Sequence, residues 1–173
     1  DRNERGKGYG LELWKHALNH LHDIPCIGLE AAMDRIEDYS GWGFMPSSLT
    51  TRWEFTVNDS LDLPNSNVLI DLGELTLVEG ESIPRSAVNE YDAKREPSPR
   101  PHFISDWLEN SSGKVLALVD KSNVCHGFGR IRPCLLVNGI GWRIGPLLAD
   151  TPVLARCLLY RLLEKHPGVV LID

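Results

Sequence analysis

The second half of the chain alternates apolar runs with polar turns in a pattern that favours a sheet fold. Three β-prone runs are separated by turn residues, which predicts an antiparallel meander. These runs are 114–119, 124–131 and 141–148. Residues 151–165 then show helical periodicity, with Thr151 as the cap and Pro152 at the first helical position. A last apolar run, 169–173, completes a strand–helix–strand crossover. We therefore expect an α/β fold of the α+β type, with a mixed, mostly antiparallel twisted sheet flanked by helices.

The first half alternates helices and strands less regularly. Apolar residues recur at helical spacing over residues 10–21, and Asp34 is placed to cap a short helix that ends at Tyr39. We predict short strands at 27–31 and 49–57. Residues 58–67 are polar and contain proline, and residues 95–101 form a second proline-rich connector. Residues 68–78 are apolar and β-prone in places, but Gly73 and the acidic residues weaken a strand prediction there. The segment 58–101 is therefore interpreted as a connection. Residues 102–109 then predict another helix, with apolar side chains on one face.

Three alternating glycines precede the first predicted helix, in the stretch Arg5-Gly6-Lys7-Gly8-Tyr9-Gly10. Glycines permit positive φ and a close approach of the backbone, and amides at a helix start attract anions. A phosphate-bearing cofactor is the natural ligand of such a loop. No Lys-Ser or Lys-Thr pair follows, as in a P-loop, and Leu13 stands where a dinucleotide fingerprint needs glycine. The alternative is a glycine-rich turn that caps the helix without a ligand.

Composition and charge exclude several classes of function. The formal net charge is −6, which argues against nucleic acid as the main partner, because basic residues supply most of that affinity. No apolar run approaches the roughly 20 residues of a membrane span, and the first residues have no signal-peptide character.

Four scattered cysteines form no C-x-x-C pair, so we expect free thiols in a reducing cytoplasm. His16 and His20 stand one helical turn apart, but Ala17 replaces the glutamate of a zinc-protease helix, so no metal is predicted.

Two motifs resemble the signatures of the GNAT superfamily of acetyl-CoA-dependent N-acetyltransferases. Arg5-x-x-Gly8-x-Gly10 is similar to its pyrophosphate signature, and residues 39–44, Tyr-Ser-Gly-Trp-Gly-Phe, are similar to its later tyrosine box. The two motifs occur in the family's order, with a predicted helix and strand between them. Residues 143–150, Arg-Ile-Gly-Pro-Leu-Leu-Ala-Asp, further resemble a segment of tandem-GNAT proteins.

The resemblance implies two GNAT-like halves in a fragment of a longer protein. Residues 1–57 would be the back half of a first domain, 58–101 a connecting segment, and 102–173 the front part of a degenerate second domain. Residues 149–152 would be the second copy's phosphate loop, but they lack the Gly-x-Gly spacing. Truncated sheets leave open edges, which favours pairing with a partner such as a second copy in a homodimer.

The resemblance also implies a reaction, the direct transfer of an acetyl group from acetyl-CoA to a primary amine. The amides of residues 6–10 would cradle the pyrophosphate, with Arg5 and Lys7 adding charge. Tyr39 is the candidate general acid for the leaving thiolate, or alternatively a residue that packs beside the cofactor. Glu30 is a weak candidate for the general base, and a solvated or salt-bridged glutamate is the simpler interpretation. The amine belongs to a small molecule or to a lysine side chain.

Other functions stay open at this point. A non-catalytic member of the family could bind CoA, or act as a scaffold or sensor module. In the second half, four charged residues are expected near one end of the sheet, where they could select a polar substrate or simply pair locally. They are Arg130, Arg132, Arg143 and Asp150.

Overall fold

A six-stranded sheet organises the larger part of the computed structural model, which describes residues 2–58, 72–96, 98–109 and 112–172. The strand order is β1-β6-β5-β4-β3-β2. The strands are β1 (Trp53–Val57), β2 (Thr76–Glu79), β3 (Lys114–Val119), β4 (Cys125–Leu136), β5 (Gly139–Ala149) and β6 (Gly168–Ile172). All neighbours are antiparallel except β5 and β6, which are parallel. The predicted mixed, mostly antiparallel sheet is confirmed.

Helices α3 (Arg85–Ala93), α4 (Pro101–Glu109) and α5 (Pro152–Leu163) pack against this sheet. Two further helices, α1 (Tyr9–His20) and α2 (Ile36–Ser40), lie earlier in the described chain. One core lies under α5, where the fully buried Leu158 and Leu162 pack with Ile131, Ile144 and Val170. The other lies under α3 and α4 and contains Val88, Tyr91, Ile104 and Phe128. Each fully buried leucine of this kind stabilises the fold by roughly 2 kcal/mol.

The crossover helix α5 begins as the sequence predicts. The Thr151 side chain accepts a hydrogen bond from the Leu154 amide at 3.3 Å, and Pro152 occupies the first helical position, where its missing N–H costs nothing. The helix returns the chain to the same end of the sheet, so β6 can pair with β5 in parallel. Within the described residues, that pairing joins residues 142–144 to 170–172.

The described chain divides into two compact units, Asp1–Leu49 and Thr50–Asp173. The sequence placed boundaries at 57 and 101 instead. The difference arises because β1 pairs with β6 and β2 pairs with β3, so both strands belong to the sheet of the second unit. Helix α3, which lies inside the predicted connecting segment, also packs against β4.

Some predicted elements of the first unit are wrong. Residues 27–31 form no strand, because no neighbouring strand in the described part of this unit supplies the hydrogen bonds that an extended segment needs. Asp34 does not cap a helix: it lies inside a 3-10 turn, Met33–Arg35, whose cap position is Ala32. The predicted strand at 49–57 is shorter, beginning at Trp53. The apolar positions 68–71 of the predicted connecting segment lie outside the described residues.

The turn before β3 gives the first testable prediction. Gly113 has a φ of +88°, and an added Cβ would clash with the main-chain oxygen of Ile131. We expect Gly113→Ala to lower the free energy of unfolding by about 3 kcal/mol, through strain and overpacking together. Gly80→Ala is the matched control, because Gly80 has a φ of +59° but open space around it, and it should cost only about 1 kcal/mol. Urea denaturation of both variants measures the difference, and equal losses would contradict the clash.

Candidate functional site

The glycine-rich segment forms a loop that ends where α1 begins. Gly8 is the residue before the helix and has a φ of +83°, a left-handed conformation that side chains rarely adopt. No side chain caps the first turn of α1, and the first hydrogen bond of the helix runs from the Glu12 amide to the Gly8 oxygen at 3.1 Å. The predicted loop-to-helix geometry is therefore present.

The loop supplies the first amides of α1. The amides of Tyr9 and Gly10 open the helix and have no acceptor within it, as at any helix start. A Cβ built at Gly6, Gly8 or Gly10 would meet no described atom within 4 Å, so the backbone faces open space. Lys7 is placed differently from the prediction, because its amino group pairs with Glu4 at 2.9 Å. Both side chains are about half exposed, so this pair contributes little stability and Lys7 can exchange Glu4 for a stronger anion.

Tyr39 lies in a small aromatic cluster of the first unit. Its ring centroid is 5.6 Å from that of Trp14, which projects from α1, and 6.2 Å from that of Phe44. Trp14 also contacts Trp42. The Tyr39 side chain is half buried, and its hydroxyl forms no hydrogen bond within the described part of the chain. The cluster holds the tyrosine ring in place and leaves its hydroxyl able to donate.

The other predicted residues of the first unit are exposed. Glu30 lies outside any strand and has no ion-pair partner among the described residues. His16 and His20 are exposed on α1. Across the described ranges, no group of three or more histidine, cysteine or acidic side chains is arranged to hold a metal ion. The same ranges contain no helix with the length and apolar character of a membrane span.

A second polar cluster lies in the second unit, at the end of β5. Asp150 accepts hydrogen bonds from the Tyr91 hydroxyl at 2.9 Å and from Arg95, and His126 Nδ1 lies 2.9 Å from its other oxygen. The Asp150 amide donates to the His126 carbonyl at 3.0 Å. The Arg95 guanidinium also lies over the Tyr91 ring, 3.3 Å from its centroid. Asp150 therefore links α3 to β4 through side chain and main chain together.

A cavity of about 500 Å³ lies beside this cluster, between α3 and the turn that joins β3 to β4. Cys125 contributes to its lining, and burial raises the pKa of that thiol to about 11. The thiol therefore stays protonated near neutral pH and is a poor nucleophile. Burial also raises the pKa of Tyr91, and the hydrogen bond to Asp150 raises it further.

The Asp150 carboxylate is held in its charged form. Burial alone would raise its pKa, but the hydrogen bonds from His126 and Tyr91 and the charge of Arg95 outweigh burial, so the pKa is lowered. Asp150 is therefore a structural link and not a general base. A general base needs a free lone pair and a pKa near the working pH, whereas three donors surround this carboxylate and its pKa is lowered.

The four charged residues predicted to cluster in the second half separate into two places. Asp150 joins Tyr91 and Arg95, whereas Arg130 and Arg132 lie further along β4, beside Trp107. Arg143 is directly opposite Arg132 in the β4–β5 register. The prediction of one joint cluster is therefore wrong, because Asp150 follows the end of β5, seven residues after Arg143.

Sequence reasoning missed α3 and with it Tyr91 and Arg95. The sequence does carry a weak indication of this helix. Pro84 precedes it, and Val88 and Tyr91 stand three residues apart, the spacing of one helix face; both are buried in the structure. His126 was also missed, because a single histidine at the start of a strand has no sequence signature. Only the fold brings it to Asp150, 24 residues later.

Comparison with known proteins identifies the second unit. Residues 88–173 match the family model described as an acetyltransferase (GNAT) domain. This match supports a GNAT acetyltransferase domain in residues 88–173. The matched GNAT domain contains the β3–β4–β5 meander, the crossover helix α5 and the parallel strand β6.

Two known proteins show similarity over most of the chain. Holothin acyltransferase from Pseudoalteromonas sp. (strain SANK 73390) is 26% identical over 163 residues, which cover 94% of this chain and 50% of that protein. A GCN5-related N-acetyltransferase from Kribbella flavida has a crystal structure similar to 98% of this chain and 42% of its own, with a TM-score of 0.56 and 16% identity. The second similarity concerns the fold alone. The chain thus spans about half the length of the curated relative that it matches.

The Asp150 link predicts a pH-dependent contribution to stability. Its folded-state pKa is lowered, so the stabilisation is present above the unfolded pKa of about 4 and is lost as the pH falls through the folded pKa. We expect Asp150→Asn to lower the free energy of unfolding by about 1 kcal/mol at pH 7, a value discounted for the partial exposure of the group, and by less at pH 3. Urea denaturation at both pH values measures the two differences.

Asp106→Asn is the control for this experiment, because Asp106 is an exposed aspartate of α4 without an ion-pair partner among the described residues. It should change stability little at either pH. A loss in Asp150→Asn that stays constant from pH 7 to pH 3 would contradict the charged link.

Proposed function

We propose that this chain is part of an acetyl-CoA-dependent N-acetyltransferase built from two GNAT-like halves. Residues 1–57 would supply the coenzyme loop, 58–101 the connecting segment and 102–173 the second half. The observation that carries the proposal is the loop of residues 6–10, whose glycines have open space around them and lead directly into a 12-residue helix. Such an arrangement favours a diphosphate, because several N–H donors and the positive end of the helix act on the same anion.

The corresponding segment of the second half supports this division of roles. Its Asp150 amide is already bonded to the His126 carbonyl, and the Asp150 carboxylate would repel a phosphate. We therefore infer that the coenzyme binds the first half and that the second half contributes no pyrophosphate loop. Arg5 and Lys7 would add positive charge to the first loop, with Lys7 leaving Glu4 to do so.

When bound, acetyl-CoA supplies an acetyl group activated as a thioester. The residues of this chain would hold it and manage protons. Tyr39 has a hydroxyl that is free to donate, and its ring is fixed against Trp14 and Phe44, so it is the candidate acid for the departing thiolate. In the alternative role it holds the coenzyme by a hydrogen bond without proton transfer.

The proton of the attacking amine needs an acceptor, because a typical amine has a pKa of roughly 10. Glu30 is the candidate base within the first half. Its exposure, without an ion-pair partner among the described residues, favours the simpler interpretation of a solvated glutamate. We therefore place more weight on Tyr39 than on Glu30.

The acceptor would be a primary amine of a small molecule or of a lysine side chain. The relative named holothin acyltransferase favours the small molecule. The free thiols of Cys26, Cys125, Cys134 and Cys157 support a reducing compartment, so we propose the cytoplasm. The outer edges of β1 and β2 would suit pairing with a second copy in a homodimer.

A non-catalytic CoA-binding, scaffold or sensor module is the second candidate. The exposure of Glu30 favours it, because the described first unit then lacks a well-placed base. Calorimetric titration with acetyl-CoA, followed by a panel of primary amines, separates the two. Binding with release of CoA and acetylated amine supports the enzyme, whereas binding without product supports the module.

The loop assignment predicts the effect of a charge at Gly8. Gly8→Asp should weaken acetyl-CoA binding at least about 10-fold, because it places a negative charge against the diphosphate. Gly8→Asn is the matched control: asparagine has nearly the same shape, tolerates positive φ and carries no charge, so most of the affinity should remain. Calorimetric titration measures both, and equal affinities for the two variants would overturn the site.

If Tyr39 is the general acid, its substitution should change the turnover rate but not the affinity for acetyl-CoA. Tyr39→Phe should lower kcat by about 100-fold or more and leave the Kd for acetyl-CoA nearly unchanged, because the ring still packs on Trp14. The turnover assay follows CoA release with the best amine of the panel. A Kd that rises while kcat stays constant would assign Tyr39 to coenzyme binding instead.

A further inference from the structure

The cavity between α3 and the β3–β4 turn is bordered by groups that hold each other in place. Asp150 binds Tyr91 and Arg95 of α3, and its other oxygen lies 2.9 Å from His126, so one carboxylate connects the helix to the start of β4. The cavity volume of about 500 Å³ lies in the range of small-molecule sites. Because these borders are already fixed, a ligand would have few side chains to order on binding.

The turn on the other side of the cavity is also held by hydrogen bonds. The Asp120 carboxylate accepts from the Ser122 and Val124 amides at 2.8 and 2.9 Å. The Asn123 amide donates to the Asp120 carbonyl at 3.0 Å, and Asn123 has a φ of +59°, which asparagine tolerates. Ser122, Asn123 and Val124 therefore line the cavity from a turn of defined conformation.

Two opposite charges that line this cavity have no partner among the described residues. Arg95 and His126 are both engaged by Asp150, so these three groups satisfy one another. Glu90 and Lys94 line the same cavity. Within the part of the chain that the structure describes, neither side chain forms an ion pair or a hydrogen bond. One negative and one positive group thus remain for a ligand.

The separation of Glu90 from Lys94 differs from what their spacing favours. A glutamate four residues before a lysine is the favourable order for an ion pair on a helix. On α1, Glu12 and Lys15 do form such a pair at the less favourable spacing of three residues, with a distance of 3.0 Å. Glu90 and Lys94 form none within the described chain, and both border the cavity. The two end groups can therefore contact two different parts of one ligand.

We propose that this cavity binds a small zwitterion of the amino-acid type, with its ammonium group on Glu90 and its carboxylate on Lys94. Both contacts are charge-assisted hydrogen bonds. The two residues are about 6 Å apart along the axis of α3, so one short molecule can reach both side chains. Ala87 and Val124 supply apolar surface for its carbon atoms. The site uses residues of the second unit alone and does not depend on the proposed coenzyme loop.

The test is calorimetric titration of the full chain, without coenzyme, with each L-amino acid that has an uncharged side chain. We expect at least one of them to bind. The tightest is then compared with its N-acetyl form, which has no ammonium group, and with its carboxamide, which has no carboxylate. Each derivative should bind at least about 10-fold more weakly, because one charge-assisted contact is lost. Absence of binding by every amino acid, or equal binding of either derivative, overturns the proposal.

Removal of either charge from the protein should have the same effect. Glu90→Gln and Lys94→Gln should each weaken binding of the tightest amino acid at least about 10-fold, because each variant keeps the approximate size of the side chain and removes one ion. An affinity equal to that of the unchanged protein in either variant overturns the proposal. Should a variant fail to fold, the comparison of the two derivatives on the unchanged protein still decides.

Glu164→Gln and Lys165→Gln are the controls, because they change the net charge in the same two ways. Both residues directly follow α5, which packs on the core that contains Leu118, whereas α3 packs on the core that contains Ala117. Successive residues of a strand face opposite sides of a sheet, so the controls lie on the side away from the cavity. They should leave the affinity unchanged, and losses equal to those of the test variants would overturn the site.

Discussion

Burial of one face of α5 determines the geometry of the second unit. Leu158 and Leu162 pack on Ile131, Ile144 and Val170, and this packing holds β6 parallel to β5. Without the helix the two strands would have no connection that lets them run in the same direction, because a parallel pair requires a crossover. Strand β5 pairs with β6 through residues 142–144 and continues to Ala149, beside the Asp150 link.

Much of the second unit was predictable because its signals are local. The meander, the Thr151 cap and the crossover helix all follow from spacing and from turn residues within a few positions of each other. The first unit was harder, since the predicted strand at 27–31 depended on a pairing partner that the described residues do not supply. A strand is a property of two segments, so the apolar pattern of one segment cannot establish it.

The candidate sites were likewise predictable only where their residues are close together in the sequence. The glycine loop could be located from sequence because its residues are consecutive and the helix follows at once. The Tyr91–Asp150–His126 cluster could not, since 59 residues separate Tyr91 from Asp150 and only the packing of α3 on the sheet joins them. Arg132 and Arg143 were named from their charge alone. Their direct opposition depends on a register that a β-bulge between Gly129 and Ile131 shifts.

Strand β1 has a consequence for how the chain can be divided. Its residues follow the tyrosine box in sequence, yet Phe55 lies beside Val170 and shields the outer side of β6. Excision of the matched domain alone, from residue 88 onward, would leave β6 at an open sheet edge, without the pairing that β1 supplies. A stable second unit must therefore retain the chain from Thr50, although residues 50–57 lie outside the segment that the family model recognises.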